Sequence, residues 1–287
     1  MNFIAFETSS SNLSIALSYA GQIYSRDIAD SAHRNAELAL PLLHALLAEA
    51  KMALTEVDVV AYGKGPGAFT GVRIACGLAQ GLAYGLGRPV IGLTSLALLA
   101  WQARHQETDY VMAAVDARMG ETYVAIYKKN AGSPAAPSAV SLTDVALPQL
   151  TSPAGVNALM TQLNGQENNN DRVFFNSSFC AIGSAFDVPE LADGIQAALA
   201  KNGVVLNNVI THAHPRAADL IAMAAELIAA EAFDGSGASS LLTAPHLAAP
   251  LYLRNNVAMT IAEREILNAN KNLKSQPLAQ INIANIH

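Results

Sequence analysis

One run of apolar and glycine-rich segments, over residues 57–93, restricts the fold of this chain more than any other feature. The segments "VDVVAYG" and "RPVIGL" at its two ends have the length and composition of short buried strands. Between them lie a glycine-rich loop and a helix that we expect to run from Thr70, a favourable N-cap residue, to about Leu86. A strand, a loop, a helix and a strand in this order predict a crossover unit and hence an α/β sheet.

Two strand-turn-strand segments suggest that the architecture is duplicated. The apolar segments "NFIAF" and "LSIALSY" are joined by the turn-forming "ETSSSN", and a second predicted hairpin is "VMAAVDARMGETYVAIY" at residues 111–127. When the hairpins are aligned, Glu7 meets Asp116, and each acid lies where an apolar strand enters a polar turn. Such a repeat is typical of two-lobed actin-like or sugar-kinase-like proteins; the alternative is a chance likeness of two hairpins.

Further helices are expected over residues 32–52, where Pro41 marks a kink or a fresh start, and over residues 215–233, which open with a proline. The residues from about 128 to 213 are predicted to be less regular, with the loop-like segments "AGSPAAPS" and "NGQENNND". The predicted organisation is a first lobe at residues 1–106, a second lobe at residues 107–258 whose late helix could pack back on the first, and a C-terminal extension at residues 259–287.

Composition excludes several classes of function. No apolar stretch approaches the roughly 20 residues that span a bilayer, and the start "MNFIAFETSSS" has no basic leader, so we expect a cytoplasmic protein without membrane contact. The net charge of −6 leaves no basic face with which the chain could hold nucleic acid by itself. Two distant cysteines and the isolated histidine pair of "THAHP" predict neither a disulfide nor a metal site.

The glycine-rich loop "GKGPGAFTG" does not match a phosphate-binding P-loop. That motif has four residues between its first glycine and a Gly-Lys-Ser/Thr, whereas Lys64 precedes most of the glycines here. A looser role remains open, because a glycine loop that enters a helix N-terminus can bind an anion through its free amides.

The glycines that follow are spaced every fourth residue within the predicted helix, at Gly77, Gly81 and Gly85. Together they weaken the helix by about 3 kcal/mol relative to alanine, so some contact must offset this loss. Glycines in this spacing form a shallow groove that another helix can approach closely. The groove is filled either by the chain's own sheet or the helix at residues 32–52, or by a second protein chain, and we expect the second chain.

Several segments of the chain resemble the TsaB (YeaZ) family of bacterial proteins. The resemblance covers residues 1 to about 128 well and residues 215–258 more thinly, and its most specific part is the glycine segment. The matching segments are "FETSSSNLSIAL", "GKGPGAFTGVRIACGLAQGLAYG", "VDARMGETYVAIY", "PRAADLI" and "APLYLRNNVA".

The resemblance implies a two-lobed actin-like (ASKHA, ribonuclease H-like) fold with mixed sheets flanked by helices. It also implies a role in making threonylcarbamoyladenosine at position 37 of tRNAs, as a non-catalytic subunit without a metal or catalytic residues. The implied partners are a TsaD-like catalytic paralogue that carries the metal, a TsaE-like ATPase and a second copy of the chain. In this interpretation tRNA, and any ATP or ADP, is bound only within the complex.

Carried onto this sequence, the partner surface comprises the predicted helix at residues 32–52 and the glycine helix. Its residues are Leu38, Leu42, Thr70, Arg73, Gly77, Gly81 and Gly85. Glu7 and Asp116 are the candidates for contact with a nucleotide between the lobes.

Three departures from the family pattern limit this transfer. Glu7 stands where the family usually has aspartate, the glycine-rich turn expected in the second lobe is degenerate in "AIGSAFD", and the chain is long for the family. Two enzymatic alternatives therefore stay open. One is an autonomous actin-like ATPase or phosphotransferase that uses Glu7 and Asp116, and the other is a metallopeptidase-like enzyme.

Overall fold

Each half of the chain begins with three consecutive antiparallel strands and then adds two parallel ones. A computed structural model describes residues 1–130, 141–165, 174, 176–233 and 240–254. The strands of the first half form a sheet in the order β3-β2-β1-β4-β5, with β1 antiparallel to β2 and parallel to β4. They are β1 (Phe3–Glu7), β2 (Leu13–Tyr19), β3 (Gln22–Ile28), β4 (Val59–Gly63) and β5 (Val90–Leu93). Strands β1 and β4 are buried on both faces, which explains their nearly continuous apolar sequences.

The second half repeats this topology. Its sheet has the order β10-β9-β6-β7-β8, and β6 is antiparallel to β7 and parallel to β9. The strands are β6 (Tyr110–Arg118), β7 (Glu121–Asn130), β8 (Ser141–Thr151), β9 (Ser178–Ile182) and β10 (Val205–Ile210). Because the order and direction of all five strands match the first sheet, the internal repeat predicted from the two hairpins is confirmed.

Helices occupy equivalent places in the two halves. One helix follows the third strand, one joins the two parallel strands, and one follows the fifth strand. In the first half these are α1 (Asn35–Ala50), α2 (Phe69–Leu86) and α3 (Ser95–Gln102), and in the second half they are α4 (Pro153–Asn164), α5 (Pro189–Lys201) and α6 (Ala217–Phe233).

The third helix of each half packs on the sheet of the other half. Helices α1 and α2 cover one face of the first sheet, and the opposite face packs against Leu220 and Ile221 of α6. On the second sheet, α4 and α5 cover one face, while Leu96 and Leu99 of α3 pack on the other. This exchange joins the halves, and residues Met1–Leu253 form one compact unit.

Several predicted boundaries differ from those observed. Helix α1 is shorter than the predicted residues 32–52 and continues through Pro41. Its last residue is Ala50, because the C-cap Lys51 adopts a left-handed conformation. Thr70 is not an N-cap. The N-cap of α2 is Ala68, two residues before Thr70, because the N–H of Ala68 donates to the carbonyl of Ser9 at 2.6 Å and thereby fixes the start of the helix at Phe69.

The predicted irregularity of residues 128–213 is wrong, because that region contains β8, α4, β9, α5 and β10. The segment "AGSPAAPS", most of "NGQENNND" and the C-terminal extension at residues 259–287 lie outside the described residues. Of the helices in the described ranges, none is both long and apolar enough to cross a membrane.

Candidate functional site

The glycine-rich loop is closed by contact with the turn between β1 and β2. A Cβ atom on Gly63 would overlap the carboxylate of Glu7, and one on Gly71 would overlap the carbonyl oxygen of Thr8. Gly67 lies against the backbone of Ser9 in the same way. Gly67 and Gly71 are therefore required because two backbones approach each other more closely than a side chain allows, and Gly63 leaves the space that the buried Glu7 side chain occupies.

Backbone hydrogen bonds fasten the same loop on several sides. The N–H of Ala68 donates to Ser9, and the N–H of Lys64 donates to the carbonyl of Leu93 at 2.9 Å. The carbonyl of Gly65 accepts from the N–H of Ser95 at 2.9 Å, and that of Lys64 accepts from Leu251 at 2.7 Å. Two amides that an anion-binding loop could present to a ligand are thus used within the protein.

Glu7 lies at the end of β1 beneath this loop and is only 1% exposed. Its Oε1 accepts the backbone N–H of Ser9 at 2.6 Å, and its Oε2 lies 3.5 Å from the hydroxyl of Ser95. The hydroxyls of Ser9 and Ser95 lie 2.7 Å apart. Burial raises the pKa of the Glu7 carboxyl, and the hydrogen bonds from Ser9 and Ser95 only partly oppose this shift.

Asp116 occupies the corresponding place near the end of β6. Its Oδ1 accepts the N–H of Arg118 at 2.7 Å, and its Oδ2 pairs with the guanidinium of the same arginine at 3.0 Å. The N–H of Asp116 donates to Ser184 at 3.2 Å, within the "AIGSAFD" turn. Glu7 and Asp116 thus bond to different partners, each near its own turn, and a nucleotide site between them stays a prediction.

The exposed face of α2 carries the other glycines. Gly77, Gly81 and Gly85 are exposed, and a Cβ atom built on any of them has no atom of the described residues within 4 Å. The opposite side of the helix packs on the first sheet through Ala75, Cys76, Ala79 and Ala83. The alternative that the chain's own sheet or α1 fills the groove is therefore wrong.

The remaining predicted partner residues lie on the same side of the first sheet. Thr70 and Arg73 are exposed on α2. Leu38 and Leu42 of α1 are half-buried against the core of the first half, and Leu40 between them is 54% exposed. The structure therefore brings all seven residues to one helical layer, and their contact with a partner remains a prediction.

Two aromatic residues complete this surface and were missed by the sequence analysis. The guanidinium carbon of Arg73 lies 3.6 Å from the ring centroid of Phe69, and its Nε donates to the hydroxyl of Tyr252 at 2.6 Å. The two rings are 5.7 Å apart. Both aromatic residues belong to segments that carry the family resemblance, "GAFTG" and "APLYLRN". Their contact could not be predicted from the sequence, because 179 residues separate Arg73 from Tyr252. We name Phe69, Arg73 and Tyr252 the arginine cluster.

No three His, Cys, Asp or Glu side chains come close enough to hold a metal ion in the part of the chain that the structure describes. What the structure does define is an architecture of two equivalent halves, each with a five-stranded mixed sheet and three helices. This is the two-lobed actin-like (ASKHA) fold, and the predicted fold class is confirmed.

Comparison with known proteins identifies the family within this class. The family model "TsaD: tRNA N6-adenosine threonylcarbamoyltransferase" matches residues 27–262. The tRNA threonylcarbamoyladenosine biosynthesis protein TsaB of Haemophilus influenzae is 39% identical over 125 residues, which are 43% of this chain and 52% of that protein. TsaB of Escherichia coli is 39% identical over 132 residues, which are 45% of this chain and 56% of that protein.

The matches to these curated relatives span about half of their length. A solved structure, YeaZ from Pseudomonas aeruginosa, aligns with 88% of this chain and 100% of its own, at 27% identity and a TM-score of 0.63. The chain belongs to the TsaB (YeaZ) family, within the wider family that the TsaD model describes.

The two groups of glycines predict opposite effects of the same substitution. We expect Gly71→Ala to destabilise the fold by about 1–3 kcal/mol or more, because its methyl group meets the Thr8 carbonyl. Gly81→Ala should instead stabilise it by about 1 kcal/mol, because the position is open and alanine favours helix. Urea unfolding of both variants measures this difference. Equal effects would contradict the assignment of the two groups.

The buried carboxyl predicts a dependence of stability on pH. Because the pKa of Glu7 is raised on folding, its contribution to stability is fully present below the ordinary pKa of glutamate and is lost as pH rises through the folded value. The stability of Glu7→Gln relative to wild type should therefore increase as the pH is raised from about 4 to about 8. Denaturant unfolding at both pH values, with the exposed Glu190→Gln as control, tests this. A Glu7→Gln difference that is the same at both pH values would contradict it.

Proposed function

We propose that this chain acts in tRNA threonylcarbamoyladenosine biosynthesis as a non-catalytic subunit that binds and activates a TsaD-like catalytic paralogue. The observation that carries the proposal is the open row of Gly77, Gly81 and Gly85 on a helix that is otherwise packed on its sheet. The names of the relatives, tRNA threonylcarbamoyladenosine biosynthesis protein TsaB, supply the process.

The energetics of α2 support a docking role. Three glycines in a helix reduce its stability by about 3 kcal/mol relative to alanine, and no side chain or backbone of the described chain lies against them. A helix from another chain could approach these positions with its backbone near that of α2. The gain in packing would then arise on association, and it would offset a loss that the described contacts of the isolated chain do not recover.

The wider assembly follows from the same proposal. A TsaE-like ATPase joins the pair, and ATP or ADP is bound only within the complex. The net charge of −6 favours tRNA binding through the complex and not by this chain alone. Self-association would use the same α1 and α2 surface and so compete with the TsaD-like partner. A role on tRNA places the assembly in the cytoplasm.

The substitution Gly81→Leu tests the proposed surface. A leucine in a close helix contact should weaken binding to the TsaD-like partner about ten- to a hundred-fold. Thermal stability should stay unchanged or rise, because leucine favours helix and has open space here. The matched control Ala197→Leu adds the same side chain at an exposed position of α5.

Affinity is measured by calorimetry beside thermal unfolding of each variant. Failure of wild type to bind the TsaD-like protein at low salt would overturn the proposed function. If Gly81→Leu binds the TsaD-like protein with unchanged affinity, the interface does not include the glycine row of α2.

Nucleotide binding separates this proposal from the enzymatic alternatives. Because Glu7 is enclosed by Ser9, Ser95 and Gly63, we expect the isolated chain to bind Mg-ATP weakly or not at all in calorimetry. Micromolar binding that is lost in Glu7→Ala would support the autonomous ATPase instead. Stoichiometric metal in the purified protein, with hydrolysis of peptides, would support the metallopeptidase alternative.

A further inference from the structure

We infer that Arg73 is a preorganised receptor for one carboxylate of the partner chain. The inference deepens the proposed function and rests on it, since it names the chemistry that the α2 surface recognises. It is carried by the arginine cluster, in which an exposed guanidinium is held by two aromatic residues and keeps its terminal nitrogens available.

The cluster is rigid because the segment that carries Tyr252 is fixed to the first half. Thr243 exchanges two backbone hydrogen bonds with Val90, both of 2.9 Å. The N–H of Ala249 donates to the hydroxyl of Tyr62 at 3.1 Å, and the N–H of Leu251 donates to the carbonyl of Lys64. Tyr252 is therefore positioned by contacts along the preceding segment, and its hydroxyl is a fixed acceptor for Arg73.

The guanidinium is only partly used by these contacts. Its Nε donates to Tyr252, and its carbon lies over the ring of Phe69. Across the described ranges, Nη1 and Nη2 of Arg73 have neither a hydrogen bond nor an ion pair, and the side chain is exposed. These two nitrogens form a planar fork that fits the two oxygens of a carboxylate. Since the side chain is already ordered, pairing would lose less conformational entropy than it does for a free arginine.

The surroundings favour a protein carboxylate over the phosphates of a nucleic acid. A polyanion is held by several cations, and this chain has 17 Lys and Arg against 23 Asp and Glu, without a basic run. Beside Arg73 lie two half-exposed aromatic rings, Phe69 at 45% and Tyr252 at 47% exposure. Arginine and aromatic residues are enriched at the centres of protein interfaces.

The cluster also continues the proposed docking surface. Arg73 precedes Gly77 by four residues, the same spacing that separates Gly77, Gly81 and Gly85, so all four positions lie on one side of α2. A helix docked along the glycines would reach the guanidinium at one end. An Asp or Glu near that end of the partner helix is the occupant that the geometry favours.

Three variants test the inference in the full chain, with the TsaD-like partner as the probe. Arg73→Gln should lower affinity about 10- to 100-fold, the range expected when a hydrogen-bonded charge is lost. Arg73→Lys keeps the charge without the fork and should recover only part of the loss. Tyr252→Phe keeps the ring but frees the guanidinium, and should give a smaller loss than Arg73→Gln. Thermal unfolding is measured beside each affinity.

The alternative is that the cluster only fastens the segment at residues 243–252. In that case Arg73→Gln and Tyr252→Phe would lower the melting temperature and leave the affinity unchanged, which would overturn the inference. If wild type binds and Gly81→Leu weakens binding but Arg73→Gln does not, the inference fails while the proposed function stands. If wild type does not bind, the proposed function itself fails.

A second measurement identifies the anion. Each acidic residue on the partner's docking helix is changed to its amide and combined with Arg73→Gln in a double-mutant cycle, in buffer without nucleotide or RNA. A partner carboxylate whose removal has little further effect in Arg73→Gln would support the inference. The inference would be overturned if the effect of every partner substitution were additive with that of Arg73→Gln and if binding of tRNA or ATP depended on Arg73. The arginine cluster would then be assigned to a phosphate.

Discussion

The close approach of the β1–β2 turn to the glycine-rich loop is the contact on which the rest of the structure depends. Gly63, Gly67 and Gly71 let residues 7–9 lie against the backbone of the loop and of the first turn of α2. The same turn supplies the carbonyl of Ser9 that fixes the start of α2. Through Ser95, which contacts Ser9 and Glu7, it also holds the start of α3. The buried Glu7 carboxyl is accommodated here because its two oxygens contact the N–H of Ser9 and the hydroxyl of Ser95.

This contact reaches the second half of the molecule through α3. The helix begins at Ser95, within the first half, but its side chains pack on the second sheet. Helix α6 makes the reciprocal connection to the first sheet. Any movement of one half against the other must therefore disturb the two apolar layers that α3 and α6 form with the sheets. The outer surface of α1 and α2 lies on the opposite face of the first sheet from α6, so it stays available while the halves remain joined.

The sequence was sufficient for the features that depend on local pattern. It predicted both hairpins, the crossover from β4 to β5 and the repeat, because buried strands and turn residues lie within short segments. It did not predict the start of α2, which is fixed by Ser9 about sixty residues earlier in the chain. It also missed the elements between residues 141 and 210, namely β8, α4, β9, α5 and β10. The edge strands β8 and β10 contain a single buried residue between them and lack the apolar alternation of a strand with one buried face.

The glycines illustrate the same limit within a single segment. In the sequence, Gly71 and Gly77 belong to one glycine-rich stretch, which we divided into a loop that could bind an anion and a helix that could receive a partner. In the structure, Gly71 is needed because the Thr8 backbone lies against it, whereas Gly77 has open space around it in the described part of the chain. This difference depends on contacts distant in sequence. A glycine such as Gly77, which has no neighbour among the described residues, is a local loss of helix stability that packing within this part of the chain does not recover. The position of Arg73 at the end of this open row connects that loss to a specific polar contact, so shape and charge on α2 point toward a single docking surface.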